Sequence, residues 1–415
     1  MASPKPSPGR VAHVLRKYDP AEWGGTETHV AAVTARLPDR GWLPEVHAPR
    51  GPASLDRALS PHVRLRRFRS FLPVLGRAER RSALISNAGN IVSLDEPFRL
   101  FLDRDIRLAH LHTMGRVGGA VRTAMRLSGR PYVISVHGPL LAQARWVADD
   151  NARRSAGTWD IGQPFGALFG VRRTLLQAAR VITFNGEERD AIAERIGDRA
   201  VQMDHGVDIP RFSSGDAARA HERWPELGDA PVVLLVGRIA SQKNQMLAVQ
   251  AFARGAPSDH HLVLAGAATD YGYRDQVERE AMALGVGDRV HLLGNLDGAT
   301  EIPDLYARAC LVVVPSTHEA FGLIVLEGMA AGRPVLFARH SGLADIADAL
   351  GHEPSTLASL EVEEWAAGVG RFLAEEPLRR AAVSASAALV RRRYDWDVVV
   401  GALAALYDEV VAERP

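Results

Sequence analysis

The sequence has a single cysteine in 415 residues, Cys310, so no intrachain disulfide can form and a reducing compartment is expected. Excess charge is also missing. Lys and Arg number 50 against 49 Asp and Glu, a formal net charge of +1. No global field therefore gathers nucleic acid or a membrane surface, and any phosphate binding must be local. No run approaches the roughly 18 apolar residues that span a bilayer. The first residues, Met1 to Pro8, are rich in Pro and Ser and lack the apolar core of a signal peptide. These absences point to a cytoplasmic protein without stable membrane insertion and without a nucleic-acid partner.

What is present is ordinary globular composition, 47% hydrophobic and 24% charged, in a chain long enough to favour two domains over one growing core. Short β-branched runs alternate with helix-period segments, the pattern of βα units around parallel sheets. Strands are expected at Val11 to Leu15, Glu45 to His47, Leu108 to His112, Tyr132 to Val136 and Arg180 to Phe184. A second series follows at Val232 to Val236, Leu262 to Ala265, Arg289 to Leu293, Leu311 to Val314 and Pro334 to Phe337. Helices fit between them, for example Glu27 to Leu37, Asn244 to Arg254, Arg274 to Leu284 and Gly322 to Ala331. Cys310 opens an apolar run that reads as buried strand, not as a reactive site.

Gly and Pro in His205-Gly206-Val207-Asp208-Ile209-Pro210 break the periodicity, which places a domain boundary at 207/208. The first domain then takes 1–207 and the second 208–394. A last amphipathic segment, Val398 to Val411, is expected to pack back on the first domain and complete it from about residue 395. The segment from Arg57 to Arg81 holds eight arginines and one acid, Glu79, and reads as a solvated face.

The second domain concentrates the chemistry. The strand Val232 to Val236 ends at Gly237, with Arg238 and Lys243 following at the carboxyl end of the sheet, where open α/β sheets bind ligands. A guanidinium fork and a compact ammonium suit the dispersed charge of a diphosphate. Further on, Glu319, Phe321, Gly322, Leu323 and Glu327 lie where a strand gives way to a helix, whose free N–H groups form an anion site. Glu319 and Glu327 are eight residues apart, about 12 Å along a helix. That exceeds the ~5 to 9.5 Å between paired glycosidase carboxylates, so the two acids bracket a ligand instead of flanking one scissile bond.

These segments, Gly237-Arg238 through Lys243-Asn244 and Glu319 through Glu327, resemble those of the family-four retaining glycosyltransferases of the GT-B fold. The likeness is strong from about 230 to 345, clear at the N-terminus and linker, and weak from 50 to 100 and 138 to 175. It implies an α/β architecture of two Rossmann-like domains facing across a deep cleft. It also implies a nucleotide diphosphate sugar as donor substrate, with no cofactor required. Arg238 and Lys243 would neutralise the diphosphate leaving group, helped by the amides of Gly322 and Leu323. Glu319 would touch the donor sugar, Glu327 the ribose, and the main chain at Leu293 and Gly294 the base.

In the first domain, Gly24 and Gly25 open a helix, and by the same resemblance their amides would meet the donor phosphates. His137, at the end of the strand Tyr132 to Val136, matches a family histidine that lies beside the reacting sugar. His112, Trp146 and Asp149 are candidates for the acceptor side, within or near the stretch 138–175 that departs most from any readable pattern. No carboxylate and histidine cluster with metal-ligand spacing is visible along the chain. The expected activity is retaining transfer of a hexose or related sugar to a small-molecule acceptor, as in natural-product biosynthesis. Because no side chain stands out as nucleophile, front-face substitution is the expected route. A nucleotide-sugar epimerase, a phosphorylase, a non-catalytic sugar-nucleotide module, and a transferase acting on a lipid-linked or cell-envelope glycan are the alternatives.

Overall fold

A computed structural model describes residues 9–18, 24–50, 60, 62–75, 91–138, 159–160 and 173–413. The chain forms two units, Met1–Asp204 with Val399–Pro415, and His205–Val398. Each is an α/β unit built on its own parallel sheet.

Unit 1 carries seven strands: β1 (Gly9–Val14), β2 (Trp42–Pro49), β3 (Arg64–Phe68), β4 (Ile106–Leu111), β5 (Tyr132–Val136), β6 (Arg180–Thr183) and β7 (Ala200–Gln202). Their order is β3-β2-β1-β4-β5-β6-β7, all parallel, so the strand order reverses between β1 and β4. Ligands of such sheets bind beyond the carboxyl ends at that point. A two-residue antiparallel ladder joins Val74–Leu75 to Trp159–Asp160.

Alternation along the central strands gives the sheet two different faces. Ala12, Val14, Ala109, Leu111, Ile134 and Val136 form an apolar core with Val117, Val121 and Met125 of the helix Arg116–Leu127. The opposite face carries His13, His110 and Ser135, all buried. That face is closed by the C-terminal helix Trp396–Ala412, where Tyr407 meets His110 at 2.5 Å and Trp42 Nε1 donates to Asp408 at 3.1 Å.

Strand β3 was not visible in the arginine-rich run, because its sequence, Arg-Leu-Arg-Arg-Phe, reads as surface. Its partner explains it. Glu45 on β2 is buried and accepts from Arg66 on β3, Arg10 on β1 and His47. His47 in turn meets Glu96 at 2.5 Å. Arg67 donates to the carbonyl oxygens of Pro49 (2.8 Å) and Tyr18 (3.3 Å) and lies over the Tyr18 ring. The arginines of this strand therefore hold the sheet edge together instead of only facing water.

Unit 2 repeats the plan with β8 (Val232–Val236), β9 (His261–Ala265), β10 (Val290–Gly294), β11 (Ala309–Val314), β12 (Val335–Ala338) and β13 (Thr356–Leu357). The order is β10-β9-β8-β11-β12-β13, again parallel. Cys310 lies in β11, donates to the Val232 carbonyl oxygen at 3.2 Å, and has its thiol pushed up to about 11 by burial. It is an inert packing group at neutral pH. Among the described residues, no helix is long and apolar enough to cross a membrane.

The buried ion network makes unit 1 sensitive to pH at both ends. Burial pushes the Glu45 carboxyl up, but His47, Arg66 and Arg10 outweigh it and hold it well below the usual carboxylate range. Burial pulls His47 down, but Glu96 and Glu45 outweigh it and raise it. The Glu45 contribution is present above the unfolded value of ~4.3 and is lost as pH falls; the His47 contribution is full below ~6.5 and is lost as pH rises through its raised value. Urea unfolding followed across pH should show both slopes. Glu45→Ala, which removes the buried carboxylate shared by two part-buried guanidinium groups and His47, should lower stability by about 2 kcal/mol, and a loss under about 0.5 kcal/mol, the scale of a neutral surface change, would contradict the role given to this network.

Candidate active site

In unit 2 the apolar strands β8 and β11 each deliver a polar loop at their carboxyl ends. The first runs from Gly237 to Asn244. Gly237 has φ of +147°, a conformation that residues with a Cβ rarely adopt, and its N–H donates to the Ala265 carbonyl at 2.8 Å. Arg238 follows with an exposed side chain. Its main-chain oxygen accepts from the side chain of Gln245, a fully buried residue at the start of the helix Gln245–Gly255. A short 3-10 turn, Ser241–Lys243, then brings Lys243 back toward the second loop.

The second loop, Pro315 to Gly322, is tied to the first at several points. Thr317 N–H donates to the Gln242 carbonyl at 3.0 Å, and the Gln242 side chain donates to the His318 carbonyl at 2.8 Å. Lys243 Nζ donates to Glu319 Oε1 at 2.5 Å, and Ser316 Oγ donates to the same oxygen at 2.7 Å. The Lys243 and Glu319 side chains are only 12% and 11% exposed, so this pair is not a loose surface contact. Gly342 fixes the loop from behind: its N–H donates to the Glu319 carbonyl at 3.0 Å, and a Cβ there would meet the Ala320 oxygen at 2.5 Å.

Gly322, in the left-handed conformation, precedes the helix Leu323–Ala330. The first N–H groups of that helix have no carbonyl one turn back and face the loop end. Phe321 is buried, its ring against His205 and Tyr394, so only its main chain can serve a ligand. Glu327 lies one turn into the helix and accepts from the Tyr306 hydroxyl at 3.1 Å. Burial pushes its carboxyl up to about 7, against the opposing pull of Tyr306, Arg211 and Lys243. Leu293 and Gly294 end β10, Gly294 with φ of +71°. Unit 2 thus brings together Gly237, Arg238, Lys243, Glu319, Gly322, Leu323 and Glu327 around the carboxyl ends of β8 and β11.

In unit 1, Gly24 caps the helix Gly25–Arg36, and its N–H donates to Glu27 Oε2 at 3.1 Å. An anion at this turn would therefore compete with Glu27 for the Gly24 amide. His112 and His137 follow β4 and β5, with His112 Nδ1 2.8 Å from His137 Nε2. His112 continues to His13 Nδ1 at 3.1 Å. The nitrogens of His13, His110 and His112 offer ligand atoms within 4.8 Å of one another, a cluster that spacing along the chain does not reveal because two neighbouring strands, β1 and β4, assemble it. His110, however, already uses Nδ1 toward Tyr407 (2.5 Å) and Nε2 toward Ser135 (2.7 Å). Trp146 and Asp149 lie outside the described residues.

The residues that sequence reasoning missed are the supports: Ser316, Gln242 and Gln245 around the Lys243 and Glu319 pair, Tyr306 on Glu327, and His13 behind His112. Gln242, Gln245 and Ser316 stand beside the motif residues, and that adjacency was the available signal. Tyr306 and His13 come from separate helices or strands and had none.

Comparisons with known proteins follow the same division into two units. A model of "Glycosyltransferase Family 4" matches residues 23–211, and one of "Glycosyl transferases group 1" matches residues 216–388. The D-inositol 3-phosphate glycosyltransferase of Salinispora tropica is 29% identical, the alignment covering 100% of this chain and 88% of the relative. Its counterpart from Acidothermus cellulolyticus is also 29% identical, over 98% of this chain and 92% of the relative. Among solved structures, Anabaena Alr3699/HepE in complex with UDP and glucose superposes with a TM-score of 0.71 at 18% identity, covering 97% of this chain and 100% of that one. The sucrose-phosphate synthase of Thermosynechococcus elongatus gives 0.72 at 22% identity, covering 97% and 99%. Two parallel α/β units, two family models in tandem and GT-B neighbours over nearly the whole length agree, and the chain belongs to the family 4, group 1 glycosyltransferases of the GT-B fold.

Proposed function

We propose that this protein is a retaining glycosyltransferase that moves a hexose or related sugar from a nucleoside diphosphate donor to a small hydroxylated acceptor. The observation that carries the reading is the pair of loops in unit 2, where Lys243, Arg238 and the helix end at Gly322 offer positive charge at the carboxyl edge of one sheet. A diphosphate is the ligand that such a combination suits.

In this reading Arg238 and Lys243 stabilise the charge that the diphosphate gains as the glycosidic bond breaks, together with the amides of Gly322 and Leu323. Glu319, held by Lys243 and Ser316, positions sugar hydroxyls. Glu327 accepts hydrogen bonds from the ribose, and the main chain at Leu293 and Gly294 lies against the base. Unit 1 supplies His137 as a sugar contact and Gly24 and Gly25 as phosphate contacts. Retention follows from front-face substitution, in which the departing diphosphate oxygen takes the acceptor proton. The UDP and glucose bound to Anabaena Alr3699/HepE support a uridine diphosphate sugar as the first donor to try. The names of the relatives support a phosphorylated cyclitol, D-inositol 3-phosphate, as the first acceptor, with other cyclitol precursors of natural products next.

Steady-state assays with the active donor should show kcat lower by roughly 10²-fold or more in Arg238→Ala and in Lys243→Ala. Near wild-type turnover in either variant would remove the assigned role, and a product of inverted anomeric configuration would remove retention.

Glu327 gives a second test. Its carboxyl ionises around neutrality, and only the ionised form makes charge-assisted bonds to ribose hydroxyls. Donor KM should therefore rise as pH falls below about 7. Glu327→Gln should flatten that profile, and an unchanged profile in the variant would place the titrating group elsewhere.

A further inference from the structure

Glu327 offers two carboxyl oxygens, and the protein occupies one of them. Oε2 accepts from the hydroxyl of Tyr306, 3.1 Å away on the helix Glu301–Arg308, whereas Oε1 has no hydrogen-bond partner among the described residues. The same hydroxyl lies 3.3 Å from the main-chain oxygen of Ile324, in the helix that carries Glu327. Tyr306 is fully buried and its ring stands edge-on to Phe212, 5.7 Å between centroids. Arg211 and Lys243 also act on the Glu327 carboxyl through their charge, but their bonds go elsewhere. Arg211 donates to the Gly298 carbonyl and Lys243 to Glu319.

We propose that Tyr306 is a positioning residue that holds the Glu327 carboxyl by Oε2 in both of its protonation states, so that Oε1 is kept for a ribose hydroxyl. This rests on the reading that Glu327 is the ribose contact. A phenol has one proton, and here it has two acceptors within reach. When Glu327 is ionised, the Tyr306 O–H donates to Oε2. When Glu327 is protonated, its own O–H on Oε2 donates to the Tyr306 oxygen, and the Tyr306 proton turns to the Ile324 carbonyl. In each state both polar hydrogens have an acceptor, so neither state leaves a buried donor stranded.

Such a support matters for a carboxyl that changes state near neutrality. Burial pushes Glu327 up to about 7, against the pull of Tyr306, Arg211 and Lys243. Burial, with the neighbouring Glu327 charge adding to it, pushes the Tyr306 phenol well above its usual value, so the hydroxyl keeps its proton throughout. Other charged groups on the packed helices are paired away from the site: Glu301 with Arg223, Asp304 with Arg219, and Glu376 with Arg380. A hydrogen bond to the ionised form favours that form. Without the hydroxyl, Glu327 stays protonated to higher pH and loses the contact that fixes which oxygen faces the protein.

Infrared spectra of the full-length protein, titrated from about pH 6 to about pH 9, read the proton on Glu327 without any ligand. A protonated carboxyl absorbs apart from ionised ones, and the band missing in Glu327→Gln is its own. That band should persist to higher pH in Tyr306→Phe, whose ring keeps the Phe212 contact, than in the unsubstituted protein. Calorimetric titration with UDP over the same range should show Tyr306→Phe binding several-fold more weakly near neutrality, with the gap narrowing toward the alkaline end. The ionisation of UDP itself is common to both proteins and cancels in that ratio. On the Glu327→Gln background, Tyr306→Phe should change UDP affinity no further.

The proposal is overturned by an unmoved band in Tyr306→Phe, by an affinity loss that is the same at every pH, as lost packing alone would give, or by additive losses in the double variant. If Tyr306→Phe does not fold, the unsubstituted protein decides. Its Glu327 band should lie where a hydrogen-bonded carboxyl absorbs, and a free-carboxyl position, or no band at the acid end, overturns the proposal. UDP affinity unaffected by Glu327→Gln at any pH would remove the ribose reading and with it the use of Oε1, whereas the hold on Oε2 is judged by the band, which needs no nucleotide.

Discussion

Everything in the unit 2 site depends on one contact, the ion pair between Lys243 and Glu319. The two residues belong to loops that leave different strands, 76 residues apart in sequence, and their charges meet at 2.5 Å with Ser316 on the same oxygen. An ammonium on a flexible four-carbon stem would otherwise sample many positions. Held by a mostly buried carboxylate, it stays where the helix end at Gly322 adds its own positive potential. The pair also keeps an isolated positive charge from being stranded in a partly dry place, the arrangement that makes buried single charges costly.

Each unit repeats the same division of labour between a dry face and a working edge. In unit 2 the apolar strands β8 and β11 are short and buried, so the polar residues that follow them are placed by the sheet and not by the loops alone. Unit 1 adds something less common, a sheet face lined with neutral histidines. Their rings pack like other aromatic groups, as with His13 on His112 and His110 on Tyr407, while His13 and His112 bond to each other and His110 bonds to Tyr407 and Ser135. Packing and hydrogen bonding are therefore inseparable there, and a change at one ring propagates to the next.

The sequence carried the central strands of both sheets, because β-branched runs bounded by polar turns have few other readings. The GT-B fold and the family followed from the motif residues around Arg238, Lys243, Glu319 and Glu327. It did not carry β3, whose arginines look like surface until Glu45 on the next strand is seen to need them. The His13, His110 and His112 cluster was hidden for the same reason: His13 and His110 are 97 residues apart and become neighbours only through strand pairing. Phe321, conspicuous within the motif, turned out to pack its ring inside unit 2, and Gly24 to give its amide to Glu27. Local pattern shows which residue types are near a site, whereas burial and cross-strand partners decide which of their atoms are available.

The most direct test of the account is a calorimetric titration of the full-length protein with UDP and with UMP under identical salt. Two charge-assisted contacts to the distal phosphate, each worth about 1.5–3 kcal/mol, should make UDP bind at least about tenfold more tightly than UMP. Equal affinities for the two nucleotides would mean that Arg238, Lys243 and the helix end at Gly322 do not grip a diphosphate, and the assignment of this site would have to be abandoned.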